Sequence, residues 1–444
     1  MNRLRLQVTW PLFVCFVWFP IWWVLGVSAF IWPIFAIPVL VTLVWRRWTK
    51  VPAPMILWFL FLSWVLLSGL QLSSATRWIT FGYRFSLYAA GSLLFVYVYN
   101  MPRDALLDSR LLRILTSFWM VVVGGGYLGI LFAGHTFTPP FERLLPHGLR
   151  ANAFVQELVQ PVFAQVQAFL GFPVPRPAAP FPYTNLWGGT IAVLTPVAFA
   201  TIASTRKGAW RTVVICVLVA SVIPMTFSLN RGMFLSLGIG VLYVTVRLAM
   251  RGRIGSLVTL LALAALSVIV VSLTPLGHLI LASFSSTHGH SNATRVSLSQ
   301  QAISGASSSP WFGYGSPQPV VGQVGSPAIG TQGQLWTILY SNGYPAVFFF
   351  VAFFVAVMWQ TRRAAGTAGL WLHAIPLIGL TQIVVYDWLP AELQVVMVAV
   401  ALAYRRSTRT WGMPVVDSDF AAVEPPEVSL AGDGRYRSAS VSLQ

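Results

Sequence analysis

Arginines in polar breaks between apolar runs are the residues with the widest chemical scope in this 444-residue chain. Arg231 lies in Thr226-Phe-Ser-Leu-Asn-Arg-Gly232, between a hydrophobic run over 212–228 and a second over 233–246. Arg295 opens Arg295-Val-Ser-Leu-Ser-Gln-Gln-Ala-Ile-Ser304, within a stretch rich in Gly, Ser, Gln and Asn. A guanidinium is a planar fork of donors that matches phosphate oxygens in pairs. At the centre of a membrane helix an arginine costs about 2.5–3.5 kcal/mol on insertion scales, so it either reaches the surface or faces a polar cavity. An arginine-lined cavity beside lipid would suit a lipid-linked diphosphate. The alternative for each is a side chain snorkelling at the membrane interface.

The acids are informative by their placement. Asp104, Asp108, Glu142, Glu157, Asp387, Glu392, Asp417, Asp419, Glu424, Glu427 and Asp433 are all there are, and none falls in the middle of an apolar run. Ion-coupled transporters commonly carry ionisable residues within the membrane, so the chain is a poor candidate for one. Flipping of a hydrophobic substrate without such coupling stays open. No Asp-x-Asp pair falls on the segments expected outside, so magnesium would lack its usual cluster of oxygen ligands. Chemistry without a metal or other cofactor is expected. Cys15 and Cys216 both fall in apolar runs, which implies neither a disulfide framework nor a Cys-ligated metal.

The elements that must position these residues are membrane helices. The chain is 56% hydrophobic and 9% charged, where a soluble protein carries about 25% charged residues. Twelve spans are predicted, at roughly 8–25, 28–45, 54–71, 83–99, 113–134, 185–203, 212–228, 232–249, 255–274, 343–359, 369–386 and 390–404. Pro11, Pro20 and Pro33 interrupt the first pair. No small-residue cleavage site follows residues 1–25, and Trp18, Trp22 and Trp23 are unlike a signal peptide, so a retained helix is expected. With the N-terminus inside, 21 of the 28 basic residues fall on cytoplasmic segments; Arg77, Arg84, Arg143, Arg150, Arg176, Arg231 and Arg295 do not. This positive-inside pattern places both termini in the cytoplasm. It also accounts for the net charge of +17 without nucleic acid as a partner.

The predicted architecture is an all-α polytopic membrane protein of about 12 transmembrane helices, with two long external loops containing short helices. Residues 1–134 form an N-terminal five-helix membrane part. Residues 135–183 form an external loop, in which Phe154, Leu158, Val162, Val166 and Phe169 recur at helical spacing and predict an amphipathic helix over 151–170, on the membrane surface or packed within the loop. Central helices fill 184–274, and a large external loop fills 275–342, with 295–304 helical. C-terminal helices follow over 343–411, then a disordered polar cytoplasmic tail over 412–444.

Arg176-Pro-Ala-Ala-Pro-Phe-Pro-Tyr-Thr-Asn185, Phe227-Ser-Leu-Asn-Arg-Gly232, and Arg295 followed by Pro310-Trp-Phe-Gly-Tyr-Gly315 stand in that order. In order and spacing they resemble motifs of the bacterial O-antigen ligase and O-antigen polymerase superfamily, across about 170–345. Thr184 stands where that family usually has Pro, and Asn230 where it has a second Ser. The family's ligases usually carry a His-Asn pair about a dozen residues before a Gly that opens the next span. Counting back from Gly343, that position holds Gln332, which cannot act as a general base. Either the base lies elsewhere, with His288, His290 and Glu157 as candidates, or a diphosphate leaving group makes strong base catalysis unnecessary, or this branch does something else.

The resemblance implies a bacterial plasma-membrane enzyme that passes a glycan from a polyprenyl diphosphate donor to a glycan or lipid acceptor at the external face. Arg231 and Arg295 would neutralise charge on the departing diphosphate, with Gln332 at the position of the missing base. Asn185, Arg176, Asn230, Gln334, Trp336 and Glu157 would line the substrate site, Trp336 and Trp311 stacking on sugars or packing. A flippase of a lipid-linked glycan is the competing class. A peptidoglycan polymerase of similar shape would need an external acid in its large loop, and 275–342 contains no Asp or Glu.

Overall fold

The long apolar runs fold as helices, the element that satisfies every backbone polar group without water. The computed structural model describes residues 2–46, 49–103, 105–150, 152–169, 172–255, 257, 258, 261, 262, 289–319 and 328–407. The first described helices are α1 (Asn2–Phe16), α2 (Phe19–Leu25), α3 (Ile31–Trp45), α4 (Met55–Ser68), α5 (Ala75–Asn100) and α6 (Asp108–Leu131). Three short helices follow, α7 (Pro140–Leu144), α8 (His147–Arg150) and α9 (Ala153–Val159), and then a hairpin of β1 (Ala164–Phe169) and β2 (Phe172–Pro177). The second half holds α10 (Thr184–Ser204), α11 (Ala209–Phe227), α12 (Arg231–Ala249), α13 (Gly289–Ser308), α14 (Gln334–Thr361), α15 (Gly366–Gln382) and α16 (Glu392–Ser407).

Six of these, α5, α6, α10, α11, α12 and α14, are long and apolar enough to cross a membrane, as befits a multi-pass membrane protein. Among the other predicted spans, α3, α4, α15 and α16 are helices of 14 to 17 residues. The first predicted span is two helices, α1 and α2, with Pro20 in the opening turn of the second, where a missing N–H costs nothing. The span at 255–274 lies mostly outside the described residues, as do His288 and the tail 412–444.

The predicted amphipathic helix over 151–170 is corrected to a short helix and a hairpin, so the chain is mostly helical rather than all-α. Asn152 caps α9 by accepting from the N–H groups of Phe154 and Val155, at 3.0 and 3.3 Å. Pro161 then denies the helix a donor. Beyond it, polar Gln165 and Gln167 alternate with Ala164, Val166 and Ala168 at the strand period. In the antiparallel register Gln165 opposes Arg176 and Gln167 opposes Val174, so Gln165, Gln167 and Arg176 share one face.

The large loop contains α13, longer than the 295–304 segment expected, and α14 starts at Gln334 rather than Gly343. Helix α14 breaks at Gly343, whose φ of 78° is in the left-handed region. Pro345 has no N–H to give Ser341, and the Tyr344 N–H turns to Pro310 at 2.9 Å. The freed carbonyls of Tyr340 and Ser341 are taken up by the N–H groups of Tyr314 and Gly315, at 3.0 and 2.7 Å. The Pro310–Gly315 segment is therefore a brace for this kink. Gly313, at φ 58°, lies against the backbone of Tyr340–Asn342, and a Cβ on Gly343 would strike the Trp311 carbonyl.

Helix α10 is the axis of the fold, packed on α6, α12 and α15 and buried almost throughout. The ends of the helices differ in their polar contacts. At one end Arg405 pairs with Asp108 at 2.9 Å and donates to the carbonyls of Val98, Met101 and Leu106, while Arg247 donates to the carbonyl of Arg362. The opposite ends of α10, α12, α14, α15 and α16 bear Thr184, Arg231, Gln334, Gln382 and Glu392, and the candidate site lies there.

Candidate functional site

Arg176 organises the site from the hairpin. Its Nε donates to the carbonyl of Ser228 at 2.8 Å, Nη1 to Gln167 Oε1 at 2.8 Å and Nη2 to Asn230 Oδ1 at 3.0 Å. Asn230, 2% exposed, turns its amide N–H to the carbonyl of Thr184 at 2.8 Å. The Thr184 N–H meets Gln165 Oε1 at 3.1 Å, which returns the network to the hairpin. Two of the three resembling stretches, 176–185 and 227–232, are thus knotted together.

The knot holds a strained turn. Leu229 has φ 52°, a left-handed conformation that costs a side-chain-bearing residue roughly 1–2 kcal/mol. It is held by Arg176 on the carbonyl before it and the side chain after it, and by Asn230 N–H to Ser228 Oγ at 3.3 Å. Strain of this kind persists where its surroundings over-determine it. The result is that Arg231 becomes the first residue of α12, exposed at the helix N-terminus. Close approach needs two glycines here: a Cβ on Gly188 would strike the Asn230 amide, and one on Gly232 would lie 2.8 Å from the Tyr386 hydroxyl.

Tyr386 lies near two of the arginines. Its hydroxyl accepts from the Met233 N–H at 3.1 Å, and the charges of Arg295 and Arg176 act on it. Burial makes the Arg176 guanidinium a weaker base than usual; Tyr386 opposes this, while the positive charges of Arg295 and Arg231 add to it. Arg176, Arg231 and Arg295, separated by 55 and 64 positions in sequence, therefore share one electrostatic environment. Like charges gathered this way raise the local potential for an anion.

The turn that carries Tyr386 connects α15 to α16. Asp387 pairs with Arg84 of α5 at 3.1 Å. Gln334 is fully buried and braces this turn: its N–H donates to the Tyr386 carbonyl, Nε2 to the Tyr88 hydroxyl at 2.7 Å, and Oε1 accepts from the Trp388 N–H at 3.1 Å. Both ends of its amide are engaged by protein groups, which makes it a positioning residue. Trp336 donates from Nε1 to the carbonyl of Val384 at 2.8 Å, on the same turn. Gln332 and Asn185 are half-buried, and Trp311 is 65% exposed although its carbonyl accepts from Trp64.

Glu157 is exposed on α9 and hydrogen-bonds the Tyr183 hydroxyl. Burial, then the Glu157 charge and hydrogen bond, push the Tyr183 phenol above its ordinary range. Tyr183 directly precedes Thr184, so this pair borders the Arg176 knot. Among the described residues no group of three or more His, Cys, Asp or Glu could hold a metal ion. Sequence reasoning missed the role of Tyr386-Asp-Trp388 and the burial of Glu392. The available signal was two of only eleven acids, flanking a short break between apolar runs. No protein-family model matches the chain, and no curated protein matches it.

Proposed function

We propose that this protein is a metal-independent membrane glycan polymerase or ligase, similar to the O-antigen ligase and polymerase superfamily. It takes a glycan from a polyprenyl diphosphate donor and passes it to the hydroxyl of a glycan or lipid acceptor. The reading includes about 12 spans, cytoplasmic termini in a bacterial plasma membrane, and the arginine-bearing end facing outward, as the positive-inside pattern requires. The observation that supports it most is the gathering of Arg231 and Arg295 around Arg176, each close enough to act on its charge.

In this reading the acceptor oxygen attacks the anomeric carbon, the bond from that carbon to the diphosphate oxygen breaks, and the electron pair leaves with the diphosphate. Arg231 and Arg295 are fixed donors for the charge that grows on the leaving group, a preorganised term worth several kcal/mol in many enzymes. Arg176 spends its guanidinium on the protein and sets the position of Arg231. Glu157, exposed at the rim and engaged with Tyr183, is the acid available to take the acceptor proton. In proteoliposomes supplied with a lipid-linked glycan, longer glycans or a new glycan–acceptor bond are expected, unaffected by a chelator. Arg231→Ala should abolish the product while inserting normally. Full activity of that variant removes the central claim, and movement of intact donor between leaflets without product identifies a flippase instead.

A further inference from the structure

Behind Tyr386 lies a carboxyl group that the proposed transfer does not use. Glu392 is 1% exposed in the first turn of α16, and among the described residues no donor reaches either of its oxygens. The side-chain oxygen of Gln382, in a residue 0% exposed at the end of α15, is also without a donor. Both oxygens face one spot on α10. A Cβ on Gly189 would strike Glu392 Oε2 and lie 3.3 Å from Gln382 Oε1, so the glycine provides the room for this meeting.

The orientation of the Gln382 amide follows from its other partner. Ser236 gives its single proton to the Met233 carbonyl at 3.0 Å and accepts from Gln382 Nε2 at 2.7 Å. The amide oxygen is left pointing towards the carboxyl. With the carboxyl ionised, two acceptors would oppose each other in a buried site, a costly arrangement. One proton on Glu392 turns the opposition into an O–H···O=C hydrogen bond that serves both groups. The surrounding charges do not supply a substitute. Asp387 on the same turn is negative and is paired with Arg84 of α5. Arg176 and Arg295 act on Tyr386, and neither is among the charges acting on Glu392. Of the network's polar groups on α5 and α14, Tyr88 and Gln334 bond each other.

We propose that Glu392 and Gln382 form a buried proton-binding site, in which a neutral Glu392 donates to Gln382 and holds the turn that presents Tyr386 to the arginine cluster. The ligand is a proton, and the site is separate from any glycan chemistry. The test uses purified full-length protein in detergent. Infrared difference spectra of wild type against Glu392→Gln at neutral pH should show loss of one protonated carboxylic-acid carbonyl band, shifted by deuterium exchange. Glu392→Gln carries a permanent N–H donor toward Gln382 and is expected to fold. The wild-type melting temperature should fall as pH is raised above the ordinary carboxylate range, because the folded state holds a proton that the unfolded chain has released, and the fall should be smaller in Glu392→Gln. If that variant does not fold, deuterium exchange of the wild type alone must still reveal the protonated carbonyl band. Absence of the band overturns the proposal. A melting temperature raised by sodium but not by choline, with the effect lost in Glu392→Gln, also overturns it, because the oxygens then hold a metal cation.

Discussion

Arg176→Lys separates charge from geometry at the site. Lysine keeps the positive charge but offers one ammonium in place of a planar fork. The three bonds of Arg176 run to the Ser228 carbonyl, Gln167 Oε1 and Asn230 Oδ1 at 2.8, 2.8 and 3.0 Å, in three directions from one rigid plane. A lysine can satisfy one of them, so about two are lost. Hydrogen bonds to a charged group contribute about 1.5–3 kcal/mol each. Release of the Leu229 strain returns roughly 1–2 kcal/mol. The net loss of order in the 228–231 turn is then about 1–5 kcal/mol, or roughly 5- to 5,000-fold in a rate that depends on that order. The assay is glycan transfer in proteoliposomes, paired with amide hydrogen exchange across 226–232. Arg176→Lys should lose activity by that factor and show faster exchange at Asn230, whose N–H meets Ser228 Oγ. Wild-type transfer with unchanged exchange would refute the account of how Arg231 is held.

Two further predictions concern the framework. Gly232→Ala places a Cβ 2.8 Å from the Tyr386 hydroxyl and should lower stability by about 1–3 kcal/mol, read as a lower melting temperature in detergent. Gly238→Ala on the same helix meets nothing within 4 Å and should be neutral or stabilising by about 0.5–1 kcal/mol. Equal effects of the two would refute the packing argument. For Arg84 and Asp387, with side chains 16% and 17% exposed, Arg84→Gln or Asp387→Asn alone should cost about 2–4 kcal/mol by leaving a poorly solvated charge unpaired. The double variant should cost less than the two single costs added together, and strict additivity in a thermal double-mutant cycle would deny the coupling.

Much of the fold was legible because bilayer crossing leaves a local trace. Apolar runs bounded by arginines and prolines predicted the helices, and 295–304 predicted part of α13. The hairpin was misread because Phe154, Leu158, Val162, Val166 and Phe169 satisfy a helical spacing, while Pro161 and the alternation through Gln165 and Gln167 favour strand. The decisive feature was the missing N–H of one proline, which outweighed an apolar pattern compatible with both periods.

The amino-acid sequence by itself determined the apolar helices, the segregation of basic residues and the arginines that stand apart from it. These follow from side-chain transfer energies and are read residue by residue. Only the tertiary structure decided that Arg176 is spent on Ser228 and Asn230, that Gln334 is a brace, and that Glu392 and Gln382 both face Gly189. Those contacts join residues 10 to about 200 positions apart. Hydrogen-bond strength depends on distances of tenths of an ångström, and helix packing against α10 sets such distances where periodicity does not.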